Sequence, residues 1–374
     1  MSVTNQIPLF FLRNQLWTRD VAACLDFATE EYCSHVFDSI QNQGGCSWTL
    51  LAKPRSQRGG EQAAESDKGS SWMVQFRLLK HAIPVHLAIE ASRIYSPLVP
   101  KIRDLGRLTV GDGVCLQAVE MARLPGTRFS ELQPTTPAMD RITLKRYKSL
   151  IQSIAEFMAR SWDSGRVSRK GLELCTGRVG RSLLSRLRSL ETDLPLPKWR
   201  AIARLSKEAV QRGILDVLPI GLTHGDFVPS NMLVDPETWA VTGYVDWAEV
   251  EYLPIGICLY GLEHLLGYLK PVSRGSRKPR FVYYDQADEI REAFWETYEQ
   301  LVPAIENEKV RMSLELSRTV GILLWKGLAW DDGAIDRVIN PSDDTYEMAC
   351  LEGWLLEGAR RTRRDSFVQT AESS

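Results

Sequence analysis

The chain has 374 residues, 44% of them hydrophobic, so it can bury a large core and exceeds the length of one typical compact unit. The 46 basic and 47 acidic residues leave a net charge of -1, which excludes a global attraction to nucleic acid or to an anionic membrane. The seven cysteines are scattered and lack zinc-finger spacing, so we expect reduced thiols.

The N-terminal run IPLFFLRNQLW has neither a basic segment before it nor a small-residue cleavage site after it, which disfavours a signal peptide. No stretch reaches the roughly 18 apolar residues that a membrane span requires. We therefore expect a soluble, cytoplasmic protein with no nucleic-acid or membrane partner. Composition leaves the oligomeric state open.

The first part of the chain reads as strand, strand, helix, strand, strand. In order, these segments are GGCSWTLLAKP, SWMVQFRLL, HLAIEASRIY, KIRDLGRLTV and GVCLQAVEMA. We predict a small antiparallel-sheet domain over residues 1–122. A segment rich in Gly, Ser and charge interrupts the first strand pair, and we expect a mobile loop at about residues 54–71.

A second domain follows a segment that contains three prolines, residues 123–138, which we interpret as a hinge or linker. Beyond it, amphipathic periods predict long helices in ITLKRYKSLIQSIAEFMARSW, PKWRAIARLSKEAVQRGI, DQADEIREAFWETYEQLV and EKVRMSLELSRTVGILLWKGLAW. Residues 139–358 form a mainly helical domain in this interpretation, and residues 359–374 form a disordered tail. The predicted class is α+β, with a small antiparallel-sheet lobe and a larger helical lobe.

The candidate chemistry lies in LTHGDFVPSNMLVD, where His224, Asp226 and Asn231 precede a short apolar run. A turn at residues 235–236 and the run AVTGYVDW predict a strand hairpin that carries Asp246 back toward Asn231. Asn and Asp oxygens suit Mg²⁺, which substrate phosphates often complete. Asp226 then remains to accept a proton from a hydroxyl, the division of roles found in kinases.

A bare His-Gly-Asp is often no more than a turn, and Asn231 and Asp246 are what make the catalytic interpretation stronger. His224 is better explained as a residue that fixes the loop by packing and hydrogen bonding than as the base.

The motifs HGDFVPSN and VDWAE resemble those of the aminoglycoside phosphotransferase and choline kinase-like family, which has the protein-kinase-like fold. The segments EVEYLPIG and YGLEHLLG resemble a fungal-type branch of this family. The resemblance implies ATP and Mg²⁺ as cofactors, Asp226 as the catalytic residue, and Asn231 and Asp246 as metal ligands. It also implies a small-molecule acceptor that is phosphorylated on a hydroxyl, with a secondary metabolite or an aminoglycoside-like or choline-like compound as candidates.

For the nucleotide, the turn GGCSW offers Gly44, Gly45 and Ser47, small residues that let backbone N–H groups approach phosphate oxygens. This is not a full G-x-G-x-x-G pattern, and a plain turn between strands stays an alternative.

Kinases anchor the phosphates with a strand Lys that pairs with a helix Glu. Here the strand carries Arg77 and the candidate partner is Glu90, so the chain departs from the usual pattern. An ordinary Arg and an ordinary helix Glu are an equal alternative, although Arg can pair with phosphate and carboxylate. The stretch VEMARLPG resembles the family's hinge and places the backbone around Ala122 near the adenine.

The acceptor side offers the carboxylates of Glu249, Glu251 and Glu263, which favour a cationic or polyhydroxylated molecule if they line a cleft. Some of them are equally explained as solvated residues, or as a brace for a helix in the case of Glu263. Aromatic residues such as Trp247 and Trp325 either shape a pocket or belong to the core.

An alternative function is a kinase-like pseudoenzyme, or a nucleotide-binding protein without turnover. Arg77 and the incomplete glycine turn favour it, whereas the intact set of Asp226, Asn231 and Asp246 argues against it. A protein substrate is less well supported, because no Ala-Pro-Glu segment follows DWAE.

Overall fold

A computed structural model of the chain describes residues 7–40, 43, 45–54, 72–167, 171–272, 278–331 and 334–357. Two compact units divide the chain between Leu124 and Pro125. Gly44, the predicted tail, and all of the predicted mobile loop except Pro54 lie outside the described residues. The predicted limits of the domains and the hinge stay predictions.

The first unit is built on a five-stranded antiparallel sheet. Its elements are α1 (Leu9–Arg13), α2 (Thr18–Glu31), β1 (His35–Ser39), β2 (Ser47–Pro54), β3 (Trp72–Leu78), α3 (Val85–Ile94), β4 (Ile102–Val110) and β5 (Val114–Ala122). The strand order is β1-β2-β3-β5-β4, and every neighbouring pair is antiparallel. The strand, strand, helix, strand, strand prediction corresponds to β2, β3, α3, β4 and β5.

Sequence periodicity missed α1, α2 and β1. Helix α2 buries small residues, Cys24 and Ala28, rather than a stripe of large ones, so its apolar signal is weak. Its core partners include Phe11, Trp48 and Phe76. The short edge strand β1 is largely exposed, with no buried position. Burial of these elements comes from tertiary packing and not from a local pattern.

The second unit is mainly helical. Its helices are α4 (Phe129–Leu132), α5 (Arg141–Ser164), α6 (Gly177–Gly180), α7 (Leu183–Asp193), α8 (Pro197–Gln211), α9 (Tyr260–Leu265), α10 (Ala287–Leu301), α11 (Glu308–Lys326) and α12 (Thr345–Glu352). Helix α5 begins after Asp140, whose side chain accepts a hydrogen bond from the N–H of Thr143, a regular N-cap.

Short strands accompany these helices. They are β6 (Thr127–Arg128), β7 (Ile220–Thr223), β8 (Met232–Val234), β9 (Val241–Tyr244), β10 (Glu251–Pro254), β11 (Gly267–Lys270), β12 (Arg280–Tyr283), β13 (Leu328–Asp331) and β14 (Ala334–Val338). Strands β6, β8 and β9 form one sheet, and β7 with β10, β11 with β12, and β13 with β14 form two-stranded sheets. The helix predicted through residue 330 instead ends at Lys326, because the following residues pair as β13 with β14.

The predicted α+β class, with an antiparallel-sheet unit and a larger, mainly helical unit, is confirmed. All seven cysteines are free thiols. Within the described ranges, no helix combines the length and the apolar character that a membrane crossing requires.

Candidate active site

The predicted hairpin is formed by β8 and β9 of the second unit. Met232 pairs with Tyr244 across the two strands, and the N–H of Val245 donates to the carbonyl of Asn231 at 2.9 Å. Asp246 follows Val245 directly, so the hairpin brings Asn231 and Asp246 to the same end, as predicted.

The backbone of Asp246 is in the left-handed region, with φ 64° and ψ 66°. Such a conformation costs an L-residue roughly 1–2 kcal/mol, although Asp tolerates it better than most. Strained backbone that surrounding structure maintains is typical of functional sites. The side chain of Asp246 is exposed at the start of the short helical turn Trp247–Glu249.

The candidate catalytic loop follows the fully buried strand β7, which pairs with β10. Gly225 has φ +79°, and a Cβ atom built on it would lie 1.9 Å from the carbonyl oxygen of Glu249. Only a residue without a side chain fits this position, because both the backbone conformation and the close approach exclude others. The glycine of the His-Gly-Asp motif is therefore a steric requirement of the fold.

His224 is buried and holds the loop through both ring nitrogens. Its Nε2 lies 2.8 Å from the carbonyl of Val245, and its Nδ1 accepts from the N–H of Asp226 at 3.3 Å. The two contacts require a neutral ring with the proton on Nε2. Burial lowers the pKa of His224 to about 4, against the opposing effects of the Val245 carbonyl and the charge of Asp246. His224 thus ties the catalytic loop to the end of the hairpin.

Asp226 is half-buried and accepts from the amide Nδ2 of Asn231 at 2.8 Å, while the same Nδ2 donates to the Asp226 carbonyl at 3.0 Å. Burial, followed by the negative charge of Asp246, raises the pKa of Asp226 above its usual range. The Asn231 hydrogen bond and the positive charge of Lys326 oppose that rise. The arrangement gives a carboxylate of increased basicity held in one orientation.

The donor set at the hairpin end fits a hard divalent cation. Both hydrogen bonds from Asn231 to Asp226 use its amide nitrogen, so Oδ1 is the atom available for a metal. This oxygen and the Asp246 carboxylate match the preference of Mg²⁺ for one or two protein oxygens completed by phosphates and water. Across the described ranges, no group of three or more His, Cys, Asp or Glu side chains could hold a metal.

The predicted nucleotide residues that the structure describes all lie in the first unit. Ser47, buried at the start of β2, is in register with Arg77 on β3, and Gly45 is in the bend before β2. Arg77 is buried, and its guanidinium donates to the carbonyl of His81 at 2.7 Å and to the side chain of Gln75 at 2.9 Å.

The other two nucleotide candidates are on different elements of that unit. Glu90 is half-buried on α3. Ala122 ends β5 opposite Trp72, and its N–H donates to the carbonyl of Lys101 at 2.9 Å.

A cavity of about 240 Å³ in the second unit borders the catalytic loop. Its walls are formed by Val179, Gly225, Asp226, Val228, Glu249, Tyr260, Leu324, Trp325, Lys326, Leu328 and Glu347. Three carboxylates thus face the cavity against one lysine. Trp325 lines it, whereas Trp247 is buried against His224 at a ring distance of 4.6 Å.

The three glutamates considered for the acceptor have different surroundings. Glu249 lines the cavity. Glu251 is buried, and its carboxylate accepts from the N–H groups of residues 178–180 at 2.8–3.0 Å. Glu263 is 1% exposed and binds Arg318 at 2.7 Å and the hydroxyl of Tyr283 at 2.9 Å. Only Glu249 of the three therefore belongs to the cavity.

Sequence reasoning missed the polar cavity residues Tyr260, Lys326 and Glu347. They come from α9, the last turn of α11, and α12, and no spacing in the chain relates them to Asp226. The local sequence pattern around these residues does not specify a partner for any of them.

The model of the phosphotransferase enzyme family (APH) matches residues 72–256. No curated protein matches the sequence. The chain is similar to an aminoglycoside-3'-phosphotransferase of type VIII, with 18% identity, 81% of this chain and 98% of that chain covered, and a TM-score of 0.42.

Two further solved structures are similar to it. One is macrolide 2'-phosphotransferase type I, with 13% identity, coverage of 82% of this chain and 90% of that chain, and a TM-score of 0.49. The other is choline kinase LicA from Streptococcus pneumoniae, with 13% identity, coverage of 83% and 94%, and a TM-score of 0.40.

The matched segment is that of a phosphotransferase enzyme family, the class that the motifs predicted. The segment that matches the family model, residues 72–256, contains Asp226, Asn231 and Asp246. The family resemblance is thereby confirmed, and the fungal-type branch stays a prediction.

We expect Gly225→Ala to destabilise the second unit and to abolish activity. The added Cβ meets the Glu249 carbonyl at 1.9 Å, and the φ of +79° adds strain, together about 2–5 kcal/mol. Gly113→Ala is the matched control, since Gly113 has φ +94° with no atom within 4 Å of a built Cβ. Urea denaturation and transfer assays measure both variants. Equal losses in the two would show that the contact with Glu249 is irrelevant.

We expect the stability contributed by His224 to fall as the pH falls from about 6.5 toward 4. The pKa is lowered to about 4 in the folded protein, so below pH 6.5 the unfolded chain takes up the proton first and unfolding is favoured. The full effect is about 3 kcal/mol, and it is retained above pH 6.5. Urea midpoints of the wild type and His224→Asn from pH 7.5 to 4.5 measure it. Parallel curves would contradict the assignment.

Proposed function

We propose that the chain is an ATP- and Mg²⁺-dependent phosphotransferase that phosphorylates a hydroxyl of a small molecule bound beside Asp226. The observation that carries this proposal is the joint placement of Asp226 at a cavity wall and of Asn231 and Asp246 at one hairpin end. A base and a two-oxygen metal set at adjacent positions are what phosphoryl transfer requires of a protein.

In the proposed reaction, the carboxylate of Asp226 accepts the proton of the acceptor hydroxyl. The hydroxyl oxygen forms the new bond to the γ-phosphorus, and the bond from that phosphorus to the leaving ADP oxygen breaks. Asn231 holds the Asp226 carboxylate at 2.8 Å, so the base is oriented before the acceptor arrives. The raised pKa of Asp226 increases the strength of its carboxylate as a proton acceptor.

Asn231 Oδ1 and the Asp246 carboxylate are the proposed metal ligands. Mg²⁺, when bound, would neutralise charge on the nucleotide phosphates. The protein's own part is to hold these oxygens ready: the N–H of Val245 fixes the Asn231 backbone, and the turn at Trp247–Glu249 holds Asp246.

For the nucleotide we propose Gly44, Gly45, Ser47, Arg77, Glu90 and Ala122. The register of Ser47 with Arg77 supports the phosphate part, because it places a small turn next to a cation. Arg77 is held by the carbonyl of His81 and by Gln75, so it is a fixed charge rather than a mobile surface arginine.

For the acceptor we propose a small molecule that carries an amine as well as the reacting hydroxyl. Glu249, Glu347 and Asp226 line the cavity against the single cation Lys326, so the wall carries an excess of negative charge. The volume of about 240 Å³ accommodates one small ring or chain at a time. An aminoglycoside-like, choline-like or other amine-bearing metabolite fits these limits.

We expect Asp226→Asn to lower kcat by about 10²–10⁴ at unchanged nucleotide affinity, because the amide keeps the shape and loses the proton acceptor. Asp216→Asn is the matched control. Burial raises the pKa of Asp216 as well, but it does not line the cavity. The assay follows transfer from ATP to a panel of amino alcohols, sugars and aminoglycosides, with and without Mg²⁺.

A wild-type kcat in Asp226→Asn would refute the role of this residue. Binding of Mg-ATP without transfer to any acceptor would favour the nucleotide-binding pseudoenzyme instead, and a thermal shift with Mg-ATP measures that binding.

We expect Glu347→Gln to raise the KM of an amine-bearing acceptor by about 5–10-fold and to leave a neutral alcohol unaffected, since roughly 1 kcal/mol of charge attraction is lost. Glu352→Gln is the control on the same helix, α12, where Glu352 pairs with Lys198 at the surface. An equal change for amine and neutral acceptors would contradict the charge argument.

A further inference from the structure

The N–H and carbonyl groups of the two peptides that flank Asp226 are all hydrogen-bonded. The N–H of Asp226 donates to Nδ1 of His224, and the Asp226 carbonyl accepts from Nδ2 of Asn231 and from the N–H of Val228, the latter at 3.0 Å. Two groups remain, the carbonyl of Gly225 on one side of the Asp226 Cα and the N–H of Phe227 on the other.

Tyr260 satisfies both remaining groups with a single hydroxyl. It accepts from the N–H of Phe227 at 2.8 Å and donates to the carbonyl of Gly225 at 3.2 Å. A phenol has one proton to donate and lone pairs to accept, so this pair of bonds uses both capacities at once. The hydroxyl therefore bridges the peptide before Asp226 and the peptide after it.

The surroundings of Tyr260 hold the ring and the hydroxyl in place. Tyr260 is fully buried at the first position of α9, and its ring stacks on Trp325 with centroids 4.9 Å apart. The next residue, Gly261, allows the helix to approach the loop, since a Cβ there would lie 2.6 Å from the Phe227 carbonyl. Burial, and charges that include Asp226, raise the pKa of Tyr260 well above its usual value, so the proton needed for the bond to Gly225 is retained.

We propose that Tyr260 is a positioning residue for phosphoryl transfer: its hydroxyl fixes the backbone on both sides of Asp226 and thereby aims the carboxylate at the acceptor hydroxyl. The inference rests on the proposed function of Asp226 and adds a residue 34 positions away, counted from 226 to 260. Tyr260 acts through Asp226 and moves no proton of the substrate.

The alternative is that Tyr260 only contributes core stability. A buried tyrosine elsewhere in the same unit separates the two cases. Tyr147 is also fully buried, and its hydroxyl lies 3.2 Å from the hydroxyl of Tyr284, far from the loop in sequence and outside the cavity lining. Tyr147→Phe and Tyr260→Phe each remove one buried, hydrogen-bonded hydroxyl and keep the ring.

The test combines steady-state kinetics with hydrogen exchange on the full-length chain. In Tyr260→Phe we expect kcat to fall about 10–100-fold while the KM values of nucleotide and acceptor stay within about twofold, because the base is misdirected but the ring that lines the cavity is kept and the lost hydroxyl was bonded to the loop backbone. Amide exchange of the peptide that spans residues 222–231 should accelerate. Tyr147→Phe should leave kcat and the exchange of that peptide unchanged.

A wild-type kcat in Tyr260→Phe, or equal falls in the two variants, would overturn the positioning role. If the wild-type chain transfers phosphate to no acceptor, the proposed function fails instead. Hydrogen exchange then tests the role of the Tyr260 hydroxyl separately. Unchanged protection of residues 222–231 in Tyr260→Phe refutes the proposed fixing of the loop by this hydroxyl, and lost protection supports it.

Discussion

The rest of the site depends on one constraint, which is that every backbone polar group of the two peptides next to Asp226 is hydrogen-bonded. The four polar groups of the two flanking peptides find partners in three places: His224 after β7, Asn231 before β8, and Tyr260 at the start of α9, whose hydroxyl serves two of the groups. Gly225 permits the loop to lie against the carbonyl of Glu249, where no side chain fits. An unpaired buried peptide group costs roughly 1–3 kcal/mol. A displaced loop would break several of these hydrogen bonds together, so several such costs would add. The carboxylate is thereby presented by a rigid backbone rather than by a mobile loop.

Opposing charges set the chemistry of this carboxylate. Burial and the charge of Asp246 raise the pKa of Asp226, and the Asn231 hydrogen bond and the charge of Lys326 oppose that rise, so the net effect is a more basic carboxylate. The same hairpin that brings Asp246 close enough to act on Asp226 also places it next to Asn231. The proposed base and the proposed metal ligands are consequently coupled: a cation at Asn231 and Asp246 would offset the negative charge that raises the pKa of Asp226. The left-handed backbone at Asp246 maintains this coupling at a small cost in strain.

Glu249 and Glu251 show how neighbouring residues of one type acquire different roles. Glu249 lines the cavity from the short turn before β10. Glu251, the first residue of β10, turns its carboxylate to the N–H groups of residues 178–180 and so holds Val179, itself part of the cavity wall. One glutamate lines the cavity, while the other stabilises the wall behind it. Two residues at this spacing would share a face if both lay on a strand, so the sequence does not distinguish the two glutamates. Their surroundings in the folded protein do.

The sequence by itself determined the parts of this protein that depend on short spacings. The amphipathic period identified α5, α8 and α10, and strand patterning identified four of the five strands of the sheet. The hairpin predicted from residues 231–246 brought Asn231 and Asp246 together, because local backbone geometry decides how a short hairpin closes. Tertiary structure alone decided the hydrogen bonds of Tyr260 and the cavity positions of Lys326 and Glu347. It also decided the partners of the buried residues Glu251 and Glu263. These depend on contacts between residues tens to more than a hundred positions apart. Such contacts arise from packing and burial, which produce no short-range pattern in the sequence.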